Sequence, residues 1–407
     1  MKNIQFKGTF IILALLLLLN HFSFYGLAQD ENIIYPLDIP TEKFWFDDMA
    51  QNSNYSPSVE CKSMLLMEES TGNIIYAANE NEKLPIASVT KIMSILLTVE
   101  AIKSGKISIN DIVTVSEYAS SMGGSQIFLE SGEKMSVNDL LKSLIVVSAN
   151  DAAVALAEHI YGSASSFILA MNERAKELGM LNTSFKNTTG LDEEGHYSSA
   201  LDVALMTKEL LKHNMIFDYT TIWIDSIRNG SFGLSNTNRL VRFYDGANGM
   251  KTGYTDKAMY CLSGTAKRNG MQLIAVVLGA KTSNDRFAAT KSLLDYGFAN
   301  FSVITPEKLS VEKISVNGGE NKYFSADYTP TSILLKKDDK NSVEQKIFID
   351  ENIIAPVKKG QVVGKVIYSI KNQKICEIPL ISGESIEKVS LKVMINKIWR
   401  GILFGIL

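Results

Sequence analysis

A chain of 407 residues with 46% hydrophobic and 21% charged residues has the composition of a globular protein long enough for two or three domains. Lysine plus arginine total 41 against 44 acidic residues, a net charge of −3, so no cationic footprint for nucleic acid is present. Cys61, Cys261 and Cys376 are odd in number and far apart, so neither a disulfide framework nor a metal cluster is expected, and no cofactor is implied.

The first residues, MKNIQFKGTFIILALLLLLNHFSFYGLAQDEN, join a basic start (Lys2, Lys7) to an apolar run from Phe10 to Leu19. Gly26 and Ala28 then offer small residues where a signal peptidase reads. The run is about half of the roughly 20 residues a membrane span needs. Residues 1–28 are therefore expected to be a cleaved signal peptide and the mature protein to be exported, with no cysteine at the cleavage site to carry a lipid. Residues 29–57 are polar and contain proline, and read as a loose N-terminal arm.

SMLLMEESTGNIIYAANE predicts two strands joined by a turn at Thr71-Gly72-Asn73. Helical apolar periodicity follows over 88–103, 136–161, 164–178 and 200–213. A hairpin turning at Asn269-Gly270 and a helix over 284–298 complete the segment. Strands at both ends with helices between them predict an α+β domain over 58–301, its antiparallel sheet drawn from both chain ends. From 302 to 382 the texture changes to short β-branched runs broken by Gly, Pro and Asn-Asp clusters, which predicts a small all-β domain. Over 383–407, Lys388, Lys392, Asn396 and Arg400 recur every four residues. Leu391, Met394, Ile395, Ile398, Trp399, Ile402 and Leu403 occupy the other faces. That pattern predicts an amphipathic helix lying in a membrane surface, with packing against the β domain or a dimer contact as the alternatives.

Chemistry enters at LPIASVTKIMSILLTVE, which sets Ser88 one helical turn ahead of Lys91 inside an apolar run. A lysine there is either on an exposed edge or held against the serine for chemistry. Alone, S-x-x-K is weak: Ser310–Lys313 and Ser385–Lys388 repeat it. S-x-N recurs at Ser108–Asn110 and Ser136–Asn138, and Lys103-Ser104-Gly105 merely ends a helix. The ordered set is far more specific. Ser88–Lys91 opens a helix, Ser148-Ala149-Asn150 falls between two apolar helical runs, and Lys251-Thr252-Gly253 immediately precedes a strong strand. This trio in this order belongs to serine β-lactamases and penicillin-binding proteins. A serine hydroxyl needs a base, and lysine serves if burial and nearby positive charge keep it neutral. Lys251 would supply that charge.

With these motifs in hand, the chain resembles the low-molecular-mass penicillin-binding proteins, specifically D-alanyl-D-alanine carboxypeptidases. PIASVTKIMS, VVSANDAAVALAE, GHYSSALDVALM, NGMKTGYTDKAMYCLSGTAKRNG, LLDYGF and APVKKGQVVG all carry the resemblance. It implies a penicillin-binding/β-lactamase-like domain with Ser88 as nucleophile, Lys91 as base and Ser148 as proton relay to the departing amine. It further implies that Asn150 holds the substrate amide and that Lys251 and Thr252 bind the terminal carboxylate, with help from Arg286. The backbone N–H of Tyr254, just after Gly253, would complete an oxyanion hole with that of Ser88. His196 reads as scaffold support, His159 and His213 as structural. Two positions depart from the usual pattern, Asn248-Gly249 where Asp-Gly is common and Tyr254 where some relatives have histidine; both bear on substrate preference.

The expected function is removal of the terminal D-alanine from peptidoglycan stem pentapeptides through an acyl-serine intermediate, inhibited by β-lactam antibiotics, at the outer face of the cytoplasmic membrane. The alternatives are a β-lactamase or DD-endopeptidase with the same machinery, or a catalytically silent wall-binding protein.

Overall fold

Ser63–Glu68 (β1) and Ile74–Ala78 (β2) form the first hairpin, turning at Thr71–Asn73 as expected. Ala247–Thr255 (β3), Met259–Arg268 (β4) and Met271–Ala280 (β5) complete an antiparallel sheet in the order β2-β1-β5-β4-β3. The computed structural model describes residues 59–390 and Ile395, so the expected signal peptide, the N-terminal arm and, apart from Ile395, the expected tail from residue 391 onward lie outside the described residues.

Period-two alternation divides β1 between two cores. Leu65 and Met67 face a helical cluster on one side, and Met64 and Leu66 face a second cluster on the other. Central β5 is covered on both faces, and each of its residues is buried. This explains why MQLIAVVLGA reads as an unbroken apolar run rather than an alternating one. The sheet does draw strands from both ends of the domain, and helices fill the sequence between.

The helical face is built from Lys91–Lys103 (α1), Val137–Val146 (α2), Asn150–Tyr161 (α3), Ala164–Glu177 (α4) and Ala200–Leu211 (α5). Ser283–Asn300 (α6) covers the opposite face. Ser136, Ser163, Ser199 and Thr282 cap α2, α4, α5 and α6, each side-chain oxygen accepting from a backbone N–H of the first turn. One expectation needs correction. The helix expected from Ser88 starts as a 3-10 turn, Ala87–Thr90, preceding α1. The helical pattern over 136–161 is two helices, parted at Val147-Ser148-Ala149 where the S-A-N triplet falls between apolar runs, and Ser148 takes a positive φ of 64° that no α-helix accommodates.

Beyond α6 come Phe301–Ile304 (β6), Val311–Ser315 (β7), Tyr323–Asp327 (β8), Ile333–Lys336 (β9), Val343–Ile349 (β10), Val362–Ile370 (β11) and Gln373–Ser382 (β12). They form a sheet ordered β7-β8-β12-β11-β10 and a β6–β9 pair. In β9, Ile333 and Leu335 enter the core of this β domain while Leu334 packs into the cluster under α6. The same short strand therefore ties the two domains together. Residues 383–390, expected to begin the tail helix, instead run extended. Ile386 bridges to Val357, Lys388 bridges to Gly319, and the Val389 N–H donates to the Gly318 carbonyl. Ile386 is buried in the β-domain core, and Lys388, expected to open the polar stripe of the tail helix, is bridged into the same domain.

Candidate active site

Ser88 sits in the 3-10 turn and is partly exposed, whereas Lys91, one turn on, is completely buried at the start of α1. The Lys91 Nζ lies 2.8 Å from Ser88 Oγ, 2.5 Å from Asn150 Oδ1 and 2.9 Å from the Thr189 carbonyl oxygen. Burial, and secondarily the positive charge of Lys251, push its pKa well below the ordinary lysine value, with Asp151 opposing. The partners fit the uncharged amine. Two of them, the Asn150 amide oxygen and a carbonyl, can only accept, so they take the two N–H groups of a neutral amine. The lone pair is left for the hydroxyl proton of Ser88. The question raised by Lys91 in an apolar run is answered by position: it is held against Ser88.

Ser148 and Asn150 reach the same place through the break between α2 and α3. The Ser148 side chain is 4% exposed and its Oγ has no hydrogen-bond partner, which is uncommon for a buried hydroxyl. Its left-handed backbone is a second strained feature at the same residue. Asn150 donates from Nδ2 to the Gly123 carbonyl at 2.6 Å while its Oδ1 faces Lys91, so the amide orientation is fixed by both neighbours. Next to it, the buried Asp151 carboxylate accepts from the N–H groups of Ile127, Leu129 and Ala152, which pins the 123–129 loop beside the site.

Lys251-Thr252-Gly253 lies within β3 rather than ahead of a strand, and β3 is the edge strand of the sheet, beside the 3-10 turn. Lys251 is buried, its Nζ donates to the Thr252 carbonyl at 3.0 Å, and burial followed by the charge of Arg286 lowers its pKa to about 7. The Thr252 hydroxyl donates to Thr237 Oγ1 at 2.8 Å. A methyl at Gly253 would stand 2.8 Å from the Ile86 carbonyl oxygen and 3.0 Å from the backbone nitrogens of Ser88 and Val89. Glycine is what lets the strand backbone approach the turn that carries Ser88. Tyr254, the next residue, has an exposed ring stacked on Tyr260 at 4.4 Å between centroids, and its OH donates to Asp256.

Arg286 lies against the K-T-G segment. Its guanidinium is buried and donates to the carbonyls of Gly253 at 3.0 Å and Cys261 at 3.4 Å, between the rings of Tyr260 and Phe287. It braces β3 through the Gly253 carbonyl, close enough to Lys251 for its charge to be felt there. Asn248, one of the two departures from the usual pattern, bonds Thr265 and Gln272 through its side-chain amide along the sheet. His196 has neighbours that support the scaffold reading: its ring bonds Thr90 Oγ1 and the Lys186 N–H.

Sequence reasoning missed the Thr189 and Gly123 carbonyls and the Thr237 hydroxyl. The two carbonyls act through the backbone, so no side-chain signal marks them; Thr237 has no motif around it. Ser88, Lys91, Asn150 and the Gly253 backbone are brought into direct contact with one another or with a shared partner, and Ser148 sits two residues from Asn150 with its hydroxyl unpaired.

The family described as D-alanyl-D-alanine carboxypeptidase matches residues 50–282, and the domain described as penicillin-binding protein 5, C-terminal domain matches 302–388. D-alanyl-D-alanine carboxypeptidase DacF of Bacillus subtilis is 45% identical over 345 residues, covering 83% of this chain and 89% of that protein. DacC of Escherichia coli is 36% identical over 356 residues, covering 83% and 87%. Among solved structures, penicillin binding protein 5 from Haemophilus influenzae superposes with a TM-score of 0.76 at 32% identity, covering 83% of this chain and 100% of that one.

Proposed function

The chain belongs to the D-alanyl-D-alanine carboxypeptidase family, and on that premise we propose that Ser88, Lys91 and Ser148 carry out its serine-peptidase reaction. The protein is a serine-type D-Ala-D-Ala carboxypeptidase. Ser88 Oγ attacks the carbonyl of the penultimate D-alanine as its proton passes to the Lys91 lone pair. The oxyanion is held by the backbone N–H groups of Ser88 and Tyr254. Collapse breaks the peptide bond, and the departing D-alanine amine takes a proton through Ser148. Water then hydrolyses the acyl-Ser88 ester. Lys251 and Thr252 receive the terminal carboxylate, and Asn150 the amide of the acyl residue. Arg286 supports this arrangement through Gly253. Penicillins enter the same cleft, and opening of their ring amide acylates Ser88.

The observation that carries this reading is the 2.8 Å contact between a fully buried lysine amine and the Ser88 hydroxyl. The purified protein should release D-alanine from a diacyl-lysyl-D-Ala-D-Ala peptide. With penicillin it should form a long-lived adduct of one drug per chain, on the peptide containing Ser88. An adduct on another serine would move the nucleophile elsewhere. Rapid, repeated hydrolysis of nitrocefin would make the protein a β-lactamase instead.

For location, the support is sequence: an apolar start with a signal-peptidase pattern and an amphipathic tail. The enzyme is exported and held at the outer face of the cytoplasmic membrane by its tail. Because Ile386 and Lys388 belong to the β domain, the deletion that tests this ends the chain after Ser390 rather than before Ser385. That truncated enzyme should be soluble and still react with penicillin. Continued sedimentation with membranes would assign the anchor to the N-terminus.

A further inference from the structure

The loop 186–196 contributes a carbonyl, not a side chain, to Lys91, so something must hold that carbonyl in place. Its neck is closed by paired backbone bonds between Ser184 and Tyr197. Inside it, Asn187 Oδ1 accepts from the Gly190 N–H at 2.7 Å and its Nδ2 donates to the Leu191 carbonyl. Gly190, with φ of 85°, packs so tightly on the 3-10 turn that a methyl there would fall 1.9 Å from the Ala87 carbonyl oxygen. The loop then presents two successive carbonyls to α1, Thr188 to the Ser94 hydroxyl at 2.7 Å and Thr189 to Lys91 at 2.9 Å.

His196 joins this loop to the S-x-x-K segment itself. The Lys186 backbone N–H can only donate, so Nδ1 at 3.1 Å is the acceptor and the ring proton is on Nε2. Nε2–H therefore donates to the hydroxyl of Thr90, the residue before Lys91, at 2.8 Å. The ring is buried edge-on against Phe185. We infer that His196 is a positioning residue for the general base: by clamping loop 186–196 to Thr90 it holds the Thr189 carbonyl on Lys91 and keeps water from the amine. This rests on the reading of Lys91 as the base for Ser88.

The charged groups facing Lys91 are Lys251 on β3 and Asp151 on α3. Those facing His196 are Glu193, Asp192 and Lys186 of its own loop, and burial, the largest influence, lowers its pKa to about 4. His196 is thus neutral throughout the range in which Lys91 acts, and it works as a hydrogen-bonding spacer. If water reaches Lys91, the amine regains hydration in its charged form and its pKa rises. The active, neutral form is then lost at a higher pH.

The test is the pH profile of penicillin acylation of the full chain. In His196→Ala the acid limb should move to higher pH, and at pH values below the limb acylation should fall about tenfold for every pH unit the limb moves. The deficit should shrink as pH is raised. His196→Gln can accept from the Lys186 N–H and donate to Thr90, and should restore the limb. Thr90→Val, nearly isosteric, should shift the limb as His196→Ala does, and serves if the alanine variant fails to fold. An unmoved limb in both His196→Ala and Thr90→Val would overturn the inference, whatever the change in melting temperature. A displaced adduct, away from Ser88, would instead overturn the reading of the site on which the inference rests.

Discussion

Replacing Lys91 with methionine should slow acylation of Ser88 by about four orders of magnitude or more while changing the melting temperature by only a few degrees. The catalytic loss follows from the contacts of the amine. The Nζ is the group of Lys91 within hydrogen-bond reach of the Ser88 hydroxyl, and without it the attacking oxygen keeps its proton. The small stability change follows from two opposing effects. A lysine in the unfolded chain has a pKa of about 10.4, and in the folded protein burial and Lys251 hold it well below that. Between those two values the unfolded state binds more protons than the folded state, so stability rises with pH and the lysine costs stability at pH 7. Methionine removes that cost. It also leaves the Asn150 amide oxygen and the Thr189 carbonyl without a donor, at about 1–3 kcal/mol each. Denaturant unfolding from pH 7 to 10 should show a shallower rise for the methionine variant than for the parent. Acylation at the parental rate would remove Lys91 from its role. Lys91→Arg separates charge from shape, because a guanidinium cannot become neutral: it should be inactive and strongly destabilised.

The sheet, the helical layer and the β domain are legible in the sequence because each rests on periodicity that burial enforces. What is not legible depends on backbone geometry. The triplet Ser148-Ala149-Asn150 is legible as falling between two helical runs, but nothing in VVSAND signals that Ser148 takes a left-handed conformation or leaves its hydroxyl unpaired. The K-T-G triplet is recognisable, but its lysine and glycine are poor strand formers, so the sequence sets it ahead of the strand. The structure puts it inside β3, where Lys251 points into a buried site and Gly253 permits contact between backbones. Arg286 reads by resemblance as a ligand for the carboxylate. A sequence does not show that this guanidinium also bonds the Gly253 carbonyl inside the K-T-G strand. The tail shows the same limit: Lys388 fits a helical stripe by spacing, but a bridge to Gly319 holds it in the β domain.

Gly253→Ala should lower acylation by about a hundredfold or more at a modest cost in stability, and this is the sharpest test of the oxyanion geometry. The new methyl would meet the Ile86 carbonyl and the Ser88 and Val89 nitrogens at 2.8–3.0 Å, all backbone atoms of the 3-10 turn. They cannot rotate aside as a side chain would. Either β3 or the turn must retreat, and both carry one of the two N–H groups proposed to hold the oxyanion. Arg286 grips the Gly253 carbonyl at 3.0 Å, so retreat of the strand also strains that bond and the carboxylate site at Lys251 and Thr252. Crowding of one methyl in a packed region costs about 1–3 kcal/mol, whereas losing one oxyanion donor costs about 10²–10³ in rate. The variant should therefore fold, melt a few degrees lower, and lose acylation out of proportion to that change. Gly233→Ala, where a methyl meets nothing within 4 Å, should leave acylation unchanged. If Gly253→Ala reacts with penicillin as fast as the parent, the close approach of strand and turn is packing alone, and the stabilising donors must be sought elsewhere in the cleft.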